Sequence, residues 1–111
     1  MAITEKQLGQ VHPSDTNNTT IYTSPSLTTA VLTSIRICNT DTSAHTFRLF
    51  LVPSGGSAGI ETALYYDYNL PANSTLADDG KIILDAGDLI SFRSDIASKL
   101  TCTVCGFEVT E

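Results

Sequence analysis

Ser34-Ile35-Arg36-Ile37-Cys38-Asn39, Thr40-Asp41-Thr42-Ser43-Ala44-His45 and Thr46-Phe47-Arg48-Leu49-Phe50-Leu51-Val52 form one continuous stretch. Two apolar runs with period-2 alternation flank a polar segment of Asn, Asp, Thr and Ser, the pattern of a strand, a turn and a strand. Parity places Ile35 and Ile37 toward the same interior as Phe47, Leu49 and Leu51, with Arg36 and Arg48 on the opposite side. The unit reads as a hairpin at the centre of a β-rich core.

Segments on either side repeat this alternation. Thr20 to Ser24 is a short strand stopped by Pro25, and a strand from Thr29 runs into the central unit. Ala63 to Leu70 alternates so that Leu64, Tyr66, Tyr68 and Leu70 share the expected core face and Tyr65 points outward. Lys81 to Leu84 and Leu89 to Arg93 follow Asp-rich turns, and Leu100 to Val109 closes the chain as a strand long enough for the middle of a sheet. Gly106 is the expected bulge, after which Phe107 and Val109 turn inward. No segment sustains a 3.6-residue apolar period over several turns. The expectation is an all-β protein, an antiparallel β-sandwich of jelly-roll or immunoglobulin-like type with about seven or eight short strands.

Residues 1–18 read as an extended N-terminal arm and residues 19–111 as the sandwich domain. Ile3, Leu8 and Val11 are the arm's only apolar anchors, ahead of the turn-rich segment from His12 to Asn18, and are the candidate interface residues. An arm of this kind either frays or orders on a neighbouring subunit.

At 111 residues the chain is one domain with enough length for its own core. A net charge of −6 and six scattered Lys and Arg argue against a direct nucleic-acid partner, which needs grouped cations. No apolar run approaches the ~20 residues of a membrane span. The segment Met1 to Gln7 lacks the regions of a signal peptide, and three cysteines suit a reducing cytosol better than a disulfide framework.

Little in the chain suggests chemistry. Cys102-Thr103-Val104-Cys105 has Cys-x-x-Cys spacing, but on a strand the two sulfurs point to opposite faces, so both read as packing residues. Asp78, Asp79, Asp85 and Asp88 fit no calcium-loop spacing and are ordinary turn formers. The Gly-rich loop after Pro53 lacks the Lys and helix of a phosphate cradle. His12 and His45 have no adjacent nucleophile motif, and no Gly-x-Ser-x-Gly elbow exists. No catalytic, cofactor-binding or metal-binding residue is assigned, and no cofactor is expected.

The segments Ile21 to Pro25, Ser34 to Thr40 and Phe47 to Pro53, with Leu70-Pro71-Ala72-Asn73-Ser74-Thr75-Leu76, Leu84-Asp85-Ala86-Gly87-Asp88 and Gly106-Phe107-Glu108-Val109, carry a resemblance. Together they look like a small family of β-sandwich virion proteins of tailed bacteriophages, of the head decoration or cement, head-fibre or tail-accessory type. The resemblance implies a non-enzymatic structural component of a phage particle, made in the host bacterial cytoplasm and located in the virion. It implies a homo-oligomer, a trimer among the candidate states, that also contacts other virion proteins such as the major capsid or tail protein. The alternative is a host-receptor or glycan-binding module of a fibre or baseplate, with Gly55 to Glu61 and Thr40 to His45 as its loops.

Overall fold

The computed structural model describes residues 2–110. The described chain forms nine strands and one 3-10 turn, without an α-helix. In order these are β1 (Ala2–Val11), β2 (Thr19–Thr23), β3 (Thr28–Asn39), β4 (His45–Val52), the 3-10 turn Ile60–Thr62, β5 (Ala63–Leu70), β6 (Thr75–Asp78), β7 (Ile82–Leu84), β8 (Leu89–Ser94) and β9 (Leu100–Thr110). All pairings are antiparallel.

One sheet runs β1-β9-β3-β6, with β7 beside β6 on the same strand β3; the other runs β2-β8-β4-β5. This alternation of the chain between two sheets is jelly-roll order. An immunoglobulin-type sandwich would place the first two strands in one sheet, whereas here they lie in different ones. Of the two expected sandwich types, the topology selects the jelly roll.

The central stretch faces inward as its parity requires. Ile35, Ile37 and Leu49 are fully buried and Phe47 nearly so, packed with Phe92, Ile90, Leu84, Leu100 and Val104 in one core. The hairpin reading, however, is corrected. Strand β3 pairs with β9, β6 and β7, while β4 pairs with β5 and β8, so the two strands face each other across the core instead of sharing a ladder. The connection between them is a corner, and Asn39 builds it. Its side chain is fully buried and donates to the carbonyls of Ser43 (3.0 Å), Leu70 (3.2 Å) and Pro71 (3.2 Å), while its Oδ1 accepts from the Asp41 N–H (2.9 Å). Four polar contacts to this buried side chain hold the corner between the sheets.

The segment read as an arm is ordered on its own chain. Residues 2–11 form β1, an edge strand whose register runs from Ala2 opposite Thr110 to Val11 opposite Cys102. The following connection is tied down as well, with Pro13 accepting from Ser98 N–H (2.8 Å) and His12 bonded to Thr101 (2.9 Å). Leu8 and Val11 pack against the core, and Ile3 is exposed. Deleting this segment would uncover β9 along its length.

Two further expectations fail on strand parity. Gly106 does not bulge β9; its two neighbours bulge around it, β1 between Gln7 and Gly9 and β3 between Leu32 and Ser34. A Cβ at Gly106 would lie 1.9 Å from the Val31 carbonyl oxygen, so glycine is what lets β9 and β3 approach there. Strand β9 therefore keeps its parity, and Phe107 and Val109 stay on the outer face. On β5 the reverse happens. Asp67 adopts a left-handed conformation (φ 52°) within an irregular stretch opposite β4, and the alternation resets. Tyr65 then turns inward to meet Phe47 at 5.5 Å between centroids, while Tyr66 is left exposed.

The sheets are bridged by two tyrosine–carboxylate hydrogen bonds. Tyr22 on β2 donates to Glu108 on β9 (2.5 Å), and Tyr65 on β5 donates to Asp78 on β6 (2.6 Å). Burial, reinforced by the Asp78 bond and charge, pushes the Tyr65 phenol up to about 12. Burial and the Glu108 bond likewise raise Tyr22. The phenol bonds are in turn the main reason that both carboxyls ionise below their usual range.

Candidate functional site

Strand pairing puts two very different surfaces on the outsides of the sandwich. On the five-stranded sheet, Val109 stands between Ile3 and Thr29, and Phe107 between Glu5 and Val31, with Ile83 next across from Val31. Ile3, Val31, Ile83, Phe107 and Val109 thus form an apolar strip across four strands at one end of the molecule. Ile3 is 62 % exposed and Ile83 52 %. Glu5 is the single charged side chain in these rows. The strip adjoins the edge of β1 that pairs with no strand among the described residues. The other end of the same face is polar, carrying Gln10, Thr103, Arg36 and Thr75.

On the four-stranded sheet, Arg48 of β4 lies directly opposite Arg93 of β8. Like charges in this position repel. Asp67 relieves the repulsion by binding Arg48 in a two-pronged pair, Nε–Oδ1 2.7 Å and Nη2–Oδ2 3.3 Å. The guanidinium of Arg48 also sits 4.1 Å from the centre of the Tyr66 ring, a cation–π contact. The Arg48 bond is the largest influence holding the Asp67 carboxyl below its usual range, with the fields of Arg48 and Arg93 adding to it.

These groups border a cavity of about 270 Å³ whose lining includes Thr16, Thr46, Arg48, Asp67, Arg93 and Asp95. At its rim Asp95 accepts from the Thr46 N–H (3.1 Å) and hydroxyl (3.3 Å) and contacts His45 Nδ1 (3.1 Å). His45 Nε2 meets Asp41 at 2.6 Å, so both ring nitrogens are engaged by carboxylates that tie the 40–45 corner to the end of β8. The His45 bond is also the first cause of the lowered Asp41 pKa.

Of the interface candidates, Ile3 lies on the apolar strip, while Leu8 and Val11 contribute to the core. The three are not brought together as one surface. Cys102 is buried and Cys105 faces outward, as strand parity requires, and all three cysteines are free. Burial pushes the Cys102 thiol up to about 12, so it is a poor nucleophile. Among the described residues no group of His, Cys, Asp and Glu is placed to hold a metal. Neither surface was legible as a site, because each is assembled from strands far apart in sequence.

No family model matches the chain, and no curated protein matches it. Among solved structures, a chain in the structure of infectious bursal disease virus, Gx strain, aligns with 96 % of this chain at 10 % identity and a TM-score of 0.49. This chain spans 31 % of that one. The fold assignment rests on strand order and burial. It defines the class, a single jelly-roll β-sandwich.

Proposed function

We propose that the protein is a non-enzymatic structural component of a phage particle, an oligomeric accessory protein of the capsid (decoration or cement) or tail surface. The observation that carries this reading is the apolar strip of Ile3, Val31, Ile83, Phe107 and Val109 beside the open edge of β1. An exposed apolar patch of this kind marks an interaction surface, and an adjoining sheet edge adds backbone hydrogen bonds to it. The occupant is a second copy of this chain. The chain carries a net charge of −6, and the strip concentrates almost none of it, so two copies meet there without opposing their surplus carboxylates. Contacts with the major capsid or tail protein then use the remaining faces. The phage resemblance of the strand and turn segments supports the same reading.

Native mass spectrometry of the wild-type chain and of Ile83→Lys tests the assembly. The expected result is a symmetric oligomer that the lysine variant reduces to monomers without loss of fold. A monomeric wild-type chain, or a variant that assembles equally well, overturns it. Antibody labelling of purified particles in the electron microscope tests the virion placement, and unlabelled particles overturn that part. A second reading, recognition of a host-surface glycan, is favoured by the cavity beside the Thr40–His45 corner.

A further inference from the structure

The cavity on the four-stranded sheet has a feature the fold does not need. Of the three arginines, Arg36 is paired with Asp79 (2.8 Å) and Arg48 with Asp67 (2.7 Å). Arg93, on the cavity wall, makes no salt bridge and no side-chain hydrogen bond among the described residues. A half-buried guanidinium left open is costly where water is partly excluded, and its planar fork matches a carboxylate. Its cross-strand neighbour Arg48 cannot relieve it. The left-handed backbone at Asp67, which presents the carboxylate to Arg48, is the kind of irregularity that collects at binding sites.

The rest of the lining says what else the ligand carries. Asp67 and Asp95 offer carboxylate oxygens that accept from hydroxyls, and Thr16 and Thr46 can both donate and accept. Two arginines and two aspartates leave the wall without net charge, so a polyanion or a phosphate dianion is not drawn in. A ligand with one carboxylate and several neighbouring hydroxyls would pair Arg93 and use the remaining acceptor capacity of Asp67 and Asp95, which already bind Arg48, Thr46 and His45. At about 270 Å³ the cavity falls just below the usual ~300–1,000 Å³ of ligand pockets and suits a single ring. We propose that this cavity binds one acidic sugar residue, a hexuronate or similar carboxylated saccharide, with Arg93 on its carboxylate and Asp67, Asp95, Thr16 and Thr46 on its hydroxyls. This inference gives the glycan-recognition reading a site and a sugar class, and it stands whether or not the apolar strip joins copies of the chain.

The test is a titration of the isotope-labelled full chain, followed by amide shifts in two-dimensional NMR. D-Glucuronate, D-glucose and acetate are the three probes. Saturable shifts centred on Thr46, Arg93 and Asp95 are expected with glucuronate, and much weaker responses with the other two. Arg93→Gln is expected to weaken glucuronate binding about tenfold or more, the loss of a charge-assisted two-pronged pair. Arg36→Gln, on the opposite sheet, is expected to bind as the wild type does. Glucuronate without saturable shifts, glucose or acetate binding as tightly as glucuronate, or Arg93→Gln binding unchanged each overturns the proposal. Because the readout is binding by the isolated chain, failure here leaves the oligomer measurements on Ile83→Lys unaffected.

Discussion

The two outer faces of this sandwich are built from the same kind of strand, yet they have opposite chemistry. The five-stranded sheet ends in an apolar strip of isoleucine, valine and phenylalanine, whereas the four-stranded sheet carries an arginine pair around a polar cavity. Their inner faces do not differ in this way, since both contribute fully buried Leu and Ile to one core, to which the four-stranded sheet adds Phe47 and Phe92. The core therefore specifies the jelly roll and leaves the outsides free to diverge. One face suits association through shape and burial, the other recognition through directed hydrogen bonds.

The contrast can be broken most completely at Gly106, on which the apolar face depends. Gly106→Val would drive a side chain into the Val31 carbonyl at the β9–β3 contact, with an expected cost of about 3 kcal/mol or more, read from chemical denaturation. A variant as stable as the wild type would mean the two strands can separate there. Next in size is Asn39→Ala, which removes the polar hub of the corner between sheets. Its expected cost is about 2–3 kcal/mol, because three carbonyls and one N–H lose a buried partner. A thermal melt within a degree of wild type would show that the corner holds itself.

Smaller effects are expected at the bonds between the sheets and on the apolar strip. Tyr65→Phe removes one sheet-to-sheet bond, at an expected cost of about 1 kcal/mol near neutral pH. The sign of its pH dependence follows from the paired shifts. The folded Asp78 carboxyl ionises below its unfolded value, so its contribution is present above roughly pH 4 and is lost as pH falls through the lowered pKa. The Tyr65 phenol is raised to about 12, so its contribution is complete below roughly pH 10 and is lost as pH rises toward that value. The stability gap between wild type and Tyr65→Phe should therefore be widest between those limits and shrink at both ends; a gap constant with pH would rule out the pair. Least of all, Ile83→Lys should change monomer stability by no more than about 0.5 kcal/mol while abolishing association, since the side chain is half exposed.

Much of the architecture was legible in the sequence. Period-2 alternation correctly placed Ile35, Ile37, Phe47 and Leu49 inside, and the length of β9 correctly put it between two neighbours. Alternation tells which face a residue takes but not which strand it bonds, so β3 and β4 read equally well as a hairpin or as a corner. It also fails wherever the backbone slips by one residue. At Asp67 a single left-handed residue exchanged the roles of Tyr65 and Tyr66, with no Gly to announce it. At Gly106 a glycine that looked like a bulge instead marked a close approach by its neighbours. Strand β1 was missed because its alternation is weak, residues 2–7 being exposed on an edge. The cavity was hidden for a different reason, as Thr16, Thr46, Asp67 and Arg93 come from four separate segments.

The register of β1 on β9 has a practical outcome. Ala2 lies opposite Thr110, so the two ends of the described chain run side by side at one end of a body 46 Å long. A linker of a few residues would join them without disturbing the ladder, and the exposed turn at Gly55 offers a place to open the chain anew. Such a circular permutant would keep every strand pair while moving its free ends to the loop after β4. Peptides grafted at the original ends and at the permuted ends would then be displayed from different positions on the same scaffold.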